Sequence, residues 1–178
     1  MAAAPVLPMV SVEEYLRTEY EPRCEYVDGE LKPKSMAGDD HSSLQMWLIL
    51  ALARVERELG LVVRPERHIR IGNSRVRIPD IAVFLSVDKT PAAVTPPLLT
   101  IEIVSPDETF AELDEKLTDH LAMGTQTAIL ADPRRRTVMV ARQNEMLHKV
   151  GAPLQVQIDV PERGSFTLDF DDLFRQLD

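Results

Sequence analysis

Residues 75–85 read RVRIPDIAVFL, and residues 98–104 read LLTIEIV. Both runs are short, rich in β-branched and aliphatic residues, and bounded by Gly, Asn, Ser or Pro, which is typical of buried β-strands. Each run carries one carboxylate among apolar neighbours, Asp80 in the first and Glu102 in the second. If 75–85 is one strand, Asp80 shares a face with the apolar residues at 76, 78, 82 and 84. We therefore predict two adjacent buried strands that each bring an acid into the interior.

Two buried carboxylates on adjacent strands repel one another, and each is costly unless a cation or several donors neutralise it. A divalent metal ion supplies that charge, so the residues indicate a metal-binding carboxylate pair. Two structural alternatives stay open. Asp80 can cap a turn after Pro79, as many Pro-Asp pairs do, and Glu102 can form a buried ion pair with an arginine such as Arg77.

The composition is that of a soluble globular protein with one domain over residues 1–178. Hydrophobic residues make up 44% and charged residues 28% of the 178 residues, both ordinary values. The net charge of −9 argues against a protein that coats nucleic acid through a basic surface. It leaves room for a nuclease, because a cleft can be basic while the rest of the surface is acidic.

The compartment predicted from the sequence is the cytoplasm. The single cysteine, Cys24, cannot form an intrachain disulfide, which suits a reducing environment. Residues 1–8 lack the charged and apolar regions of a signal peptide, and the longest apolar stretch, 46–53, is too short to span a bilayer. No membrane association is expected.

Hydrophobic periodicity predicts an α/β fold: a mixed sheet flanked by two long helices, with extra antiparallel strands toward the C-terminus. Helical spacing marks residues 41–59, closed by Gly60, and residues 108–123, capped by Gly124. A capping box predicts a short helix over 12–19, and Asp28-Gly29 predicts a tight hairpin. Further predicted elements are a hairpin turn at 72–74, strands at 127–131, 137–140, 146–150 and 154–160, and a last helix over 168–177.

A longer set of motifs carries a family resemblance. In chain order they are EYVDGE at 25–30, His41 at a helix start, IPDIAV at 78–83, IEIVSP at 101–106, Lys116, Gly124 and ADP at 131–133. Pro79-Asp80 and Glu102-Ile103-Val104 resemble the PD-(D/E)XK motif of restriction-endonuclease-like folds. The whole order resembles the Uma-type family of "putative bacterial restriction endonucleases", a domain of unknown function, from about Ser11 to Phe174.

The resemblance implies a Mg²⁺-dependent site, with Mn²⁺ as a substitute, that hydrolyses DNA phosphodiester bonds. Asp80 and Glu102 would ligate the metal, and the backbone carbonyl of Ile103 would supply a third oxygen, since Mg²⁺ prefers hard oxygen ligands and retained water. Glu25 matches the family's N-terminal glutamate and would support a metal-bound water or a second ion.

The sequence departs from the motif at Val104, where restriction endonucleases of this type carry lysine. The resemblance assigns the missing cation to Lys116 in the following helix, whose long stem can reach a carboxylate on a strand. Two further departures are His120, which stands where the family usually has tyrosine, and Cys24, which precedes Glu25 where tyrosine is common. Neither of these two removes a proposed metal ligand.

Contacts with DNA are expected from Arg75, Arg77 and His41. The arginines belong to the densest basic stretch, residues 64–77, which could line a DNA groove or form only a solvated hairpin face. A homodimer is one assembly that the resemblance allows, because related nucleases often cut two strands as dimers. The rival to an enzyme is a catalytically degenerate module that binds protein or nucleic acid.

Overall fold

The computed structural model describes residues 9–178, so the expectation about a signal peptide in residues 1–8 lies outside the described residues. The helices are α1 Val12–Tyr15, α2 Asp39–Leu59, α3 Phe110–Met123 and α4 Phe170–Arg175. The strands are β1 Cys24–Val27, β2 Glu30–Pro33, β3 Val62–Pro65, β4 Ile69–Ile71, β5 Arg75–Arg77, β6 Ile81–Phe84, β7 Leu99–Ile103, β8 Thr127–Asp132, β9 Thr137–Arg142, β10 His148–Lys149, β11 Gln155–Val160 and β12 Gly164–Asp169.

The strands form a central mixed sheet and two smaller sheets. The central sheet has the order β10-β9-β8-β7-β6-β3, and only its β7–β8 pair is parallel. A four-stranded antiparallel sheet has the order β2-β1-β5-β4, and β11 pairs with β12. The predicted α/β class, with a mixed sheet flanked by helices, is confirmed.

Alternate residues of the central strands face opposite layers, as the period of a strand requires. Ile81 and Ile101 belong to the main core, where they lie with Leu44, Leu48 and Leu52 of α2. Burying leucines at this helical spacing stabilises α2 far more than helix propensity does. Gly60 ends the helix in the left-handed conformation, as predicted.

The helix α3 connects the two parallel strands, β7 and β8, and packs on the other face of the sheet. Leu113 and Leu117 contact Ala128 and Leu130, while Thr109 starts the helix with a full capping box. Phe110 lies at helical spacing from Leu113 and Leu117 but is 59% exposed. It is the first residue of the helix, ahead of the turns that pack on the sheet.

The predicted continuous strand over 75–85 is wrong. β5 ends at Arg77 in the four-stranded sheet, and β6 begins at Ile81 in the central sheet. The physical reason lies in the linking residues: Pro79 has no N–H to donate to a ladder, and the N–H of Ile78 donates to Glu25 Oε1. Asp80 is therefore buried at a junction between two sheets and not within one strand.

Smaller boundaries also differ from the predictions: α2 begins at Asp39, α3 begins at Phe110, and β10 covers only His148–Lys149. α1 is four residues long and does not extend to 19. Residues 164–169 form β12, which pairs with β11 over its whole length, so the last helix begins only at Phe170. Both hairpins are confirmed, the first with Asp28 and Gly29 at positive φ angles of 52° and 95°, the combination that a tight primed turn requires.

Over residues 9–178, no helix combines the length and the apolar content needed to cross a bilayer.

Candidate active site

The two acids singled out by the sequence lie opposite one another. β6 pairs with β7 so that Ile81 faces Ile101, and the same register continued by one residue brings Asp80 opposite Glu102. Both side chains are buried, and both line a cavity of about 590 Å³. Lys34 and Lys116 line the same cavity. The strand order thus collects two acids and two ammonium groups at one place.

Both oxygens of Asp80 are bound by protein donors. Oδ1 accepts a hydrogen bond from Lys34 Nζ at 3.0 Å. Oδ2 accepts one from the backbone N–H of Ile103 at 2.7 Å, and it lies 3.2 Å from His41 Nε2. Burial alone would raise the pKa of Asp80, but the His41 hydrogen bond, the Lys34 charge and the Ile103 N–H outweigh it and lower the pKa. Asp80 is therefore an anion at neutral pH.

Glu102 is held from the side of α3. Its Oε1 lies 2.8 Å from Nε2 of His120, a fully buried residue. Its Oε2 has a looser partner, because Lys116 Nζ is 3.9 Å away. Since a carboxylate can only accept, the histidine nitrogen that faces it must carry the proton. Among the described residues, Oε2 of Glu102 accepts no hydrogen bond.

Lys116 is a firmly charged group between acids. Its Nζ donates to Glu108 Oε1 at 2.6 Å. Burial lowers the pKa of Lys116, but the nearby carboxylates of Glu102, Glu25 and Glu108 more than compensate and raise the pKa above its ordinary value. The side chain therefore offers a fixed positive charge and not a proton acceptor.

Glu25 lies beside this cavity and not in it. It lines a second cavity of about 190 Å³, whose wall includes Lys116. Both of its oxygens are bound: Oε1 accepts from the N–H of Ile78 at 2.8 Å, and Oε2 accepts from Arg77 Nη1 at 2.9 Å. Glu25 thus fixes the backbone two residues before Asp80.

Arg77 serves the interior of the protein and not the DNA groove that its place in the sequence suggested. Its side chain is 4% exposed and is bound to Glu25 and, through Nε at 2.7 Å, to Asp119. It does not pair with Glu102, which corrects the alternative of a structural Arg77–Glu102 bridge. Arg75 is also engaged, by Asp28, Glu115 and Asp119, although its side chain is 27% exposed.

Three contributors were not identified from the sequence: Lys34, His120 as a partner of Glu102, and Asp119. The sequence contains a weak indication for His120, because it follows Lys116 by one turn of α3 and lies on the same border of the helix's apolar face. It contains none for Lys34, which lies in the predicted return strand of the first hairpin, residues 32–37, and belongs to no quoted motif. Its role depends on a contact between residues 46 positions apart.

The donor chemistry of this cavity fits a hard divalent cation. Within residues 9–178, no three His, Cys, Asp or Glu side chains are grouped so that they could hold a metal together. Mg²⁺, however, usually takes only one or two protein carboxylates and keeps several waters. Asp80, the unbonded Oε2 of Glu102 and the carbonyl of Ile103, a residue that lines the cavity, form a ligand set of that kind.

Two comparisons with known proteins found nuclease-like relatives. A family model described as "Uma2: Putative restriction endonuclease" matches residues 12–168. A solved crystal structure, that of "a putative nuclease belonging to DUF820" from Anabaena variabilis ATCC 29413, is similar with a TM-score of 0.80. The two chains are 27% identical, over 94% of this chain and 99% of that chain. No curated protein matches significantly. The matched region contains both acids and every side chain bound to them.

Proposed function

Because the chain belongs to the Uma2 family of "putative restriction endonucleases", we propose that it is a metal-dependent endonuclease that hydrolyses DNA phosphodiester bonds. One observation carries the proposal: Asp80, which directly precedes β6, lies opposite Glu102 of β7 in the continued register, and both acids share a cavity with two lysines. Two acids for a metal and an ammonium group for a phosphate, here that of Lys116, are what phosphodiester hydrolysis needs.

Asp80, Glu102 and the carbonyl of Ile103 would hold Mg²⁺ or Mn²⁺. When bound, such an ion lowers the pKa of a coordinated water and offsets charge on the scissile phosphate. His41 and His120 each hold one carboxylate in place through Nε2, so the acids are oriented before a substrate arrives.

Lys116 would stabilise negative charge on the phosphate. Its raised pKa keeps the ammonium protonated, so it is unsuited to remove a proton from water. Its position beside Glu102 lets it take over the electrostatic role of the lysine that is missing at Val104, because a preorganised charge in a dry site stabilises a developing anion.

A path for DNA is offered by a groove next to the cavity. Phe110, Arg134 and Arg135 are exposed and line a groove of about 210 Å³ that shares Glu108 with the cavity. Guanidinium groups bind phosphates, and an exposed aromatic ring can stack on an unpaired base. We propose that these residues take the DNA-binding role that the sequence predicted for Arg77.

The proposal is tested by incubating the purified protein with supercoiled plasmid and with genomic DNA, with Mg²⁺ or Mn²⁺ and with a chelator. We expect cleavage only with metal, and a rate lowered about a thousandfold in Glu102→Gln, which keeps the shape of the side chain. The control variant Asp159→Asn removes an exposed carboxylate of β11 and should cleave like the wild type.

The variant that combines Arg134→Ser with Arg135→Ser should bind DNA more weakly than the wild type, and its affinity should depend less on the salt concentration.

Equal cleavage by Glu102→Gln and the wild type would contradict the assignment of the site, and no cleavage by the wild type with either metal would contradict the nuclease activity itself. The second outcome favours another candidate, a nuclease fold that only binds. Two observations support it: Val104 stands in the lysine position, and protein donors already bind both oxygens of Asp80.

A further inference from the structure

Lys34 holds the one oxygen of Asp80 that the rest of the protein leaves available. Oδ2 is bound by the Ile103 N–H and His41, whereas Oδ1 accepts from Lys34 alone among the described residues. We infer that Lys34 is an internal counter-ion of Asp80 that competes with a divalent metal for Oδ1 and thereby sets the metal affinity of the site. This inference rests on the proposed function.

Hydrogen bonds fix both the backbone and the ammonium group of Lys34. Its backbone N–H donates to the Arg23 carbonyl at 2.8 Å, directly after β2. Its Nζ donates to the carbonyl of Ile78 at 2.9 Å as well as to Asp80. The side chain is only 14% exposed and lines both cavities. These contacts fix the ammonium against the segment that carries Asp80.

Competition follows from charge and from the chemistry of lysine. A divalent ion bound through Oδ1 and an ammonium on the same atom repel one another strongly at such a distance. A lysine ammonium is a point charge on a flexible stem, so it can leave the carboxylate for the adjoining space of the cavity. The carboxylate is thus available to metal only after Lys34 has moved.

Glu102 shows no comparable competition. Lys116 is 3.9 Å from Oε2 of Glu102, and its ammonium is bound more closely by Glu108. A metal can approach Oε2 without breaking a hydrogen bond. The contact that opposes metal binding is therefore the hydrogen bond from Lys34 to Asp80.

The test is a calorimetric titration of Mg²⁺ and of Mn²⁺ into the wild type, Lys34→Met and Lys32→Met. Lys34→Met keeps the length of the side chain and removes its charge, and we expect it to bind Mg²⁺ about tenfold more tightly or better. Lys32→Met is the matched control: it removes the same charge from a 54% exposed side chain that pairs with Glu30, and its affinity should stay within about twofold.

Thermal unfolding supplies a second readout. Without added metal, Lys34→Met should melt below the wild type, because Asp80 has lost its counter-ion, and metal should raise its melting temperature more than that of the wild type. If Lys34→Met does not fold, Lys34→Gln removes the charge and keeps a donor near Asp80.

The outcomes separate the two proposals. Equal or weaker metal affinity in the Lys34 variants overturns the counter-ion role and leaves the nuclease proposal intact. Binding by the Lys34 variants alone supports the counter-ion role and contradicts a metal-dependent activity of the natural chain. No binding by any variant overturns both.

Discussion

Two charged clusters lie side by side in this protein and balance their charges in different ways. The lysine cluster consists of Asp80, Glu102, Lys34 and Lys116, and the arginine cluster consists of Glu25, Asp119, Arg75 and Arg77. In the lysine cluster, ammonium groups face a cavity of about 590 Å³. In the arginine cluster, the planar guanidinium of Arg77 is bound on two edges by buried carboxylates.

This difference indicates that the lysine cluster, and not the arginine cluster, can exchange its hydrogen-bond partners. A guanidinium that forks between two acids is fixed by its geometry, whereas an ammonium makes contacts that can be exchanged. The clusters meet at Ile78, whose N–H donates to Glu25 and whose carbonyl accepts from Lys34. The arginine cluster therefore positions the segment that carries Asp80, and the lysine cluster is where chemistry can occur.

The largest expected effect on stability comes from Arg77→Met, which keeps an apolar stem and removes the charge. Glu25 and Asp119 are then buried without their shared cation, and breaking such an arrangement typically costs about 3–5 kcal/mol. We expect the melting temperature to fall by about 10 °C, measured by circular dichroism. A loss below about 1 kcal/mol would show that the guanidinium is not what holds the cluster together.

A smaller effect is expected in the pH dependence of stability, through Glu25. Burial raises the pKa of Glu25, but the charges of Lys116 and Arg77 and the Ile78 N–H outweigh it and lower the pKa. A lowered pKa means that the group stabilises the fold above its unfolded pKa of about 4.3, and that this stabilisation disappears as the pH falls through the folded value.

Glu25→Gln should therefore unfold more easily than the wild type at pH 7, and its free energy of unfolding should fall less steeply below about pH 4.3. Urea unfolding between neutral and acidic pH measures both quantities. Parallel pH profiles for the two proteins would indicate that Glu25 has the same pKa in the folded and unfolded chain.

Local patterns predicted the parts of this structure that depend on neighbours in sequence. Leu44, Leu48 and Leu52 reveal α2 by their helical spacing, and Asp28-Gly29 reveals the first hairpin by its turn chemistry. Asp80, Glu102 and Lys116 were expected in one cleft, and they line one cavity. The acid in an apolar run was the signal for Asp80 and Glu102, because burial of an unpaired charge is so costly, whereas Lys116 was expected only from the family resemblance.

Long-range charge pairing could not be predicted in the same way. Arg77 reaches Glu25 and Asp119 across 52 and 42 residues, and no periodicity encodes such a contact. Even positions in 75–85 suggested a shared face, but Pro79 ends the ladder and Ile78 donates to a side chain. The burial of Asp80 was therefore predicted correctly, but for the wrong reason. Asp80 is buried because it lies at a junction between two sheets, and not because it lies on the apolar face of one strand.

The smallest expected effect comes from Glu115→Gln, at the open edge of the arginine cluster. Glu115 is 46% exposed, lies 2.8 Å from Arg75 Nη1, and approaches Arg77 Nη2 at 3.4 Å without a hydrogen bond. Ion pairs of exposed groups contribute about 0–1 kcal/mol, so the melting temperature should fall by no more than about 3 °C. A decrease as large as that of Arg77→Met would mean that Arg77 depends on exposed Glu115 as much as on buried Glu25 and Asp119. The arginine cluster would then not differ from the lysine cluster in how firmly its partners are held.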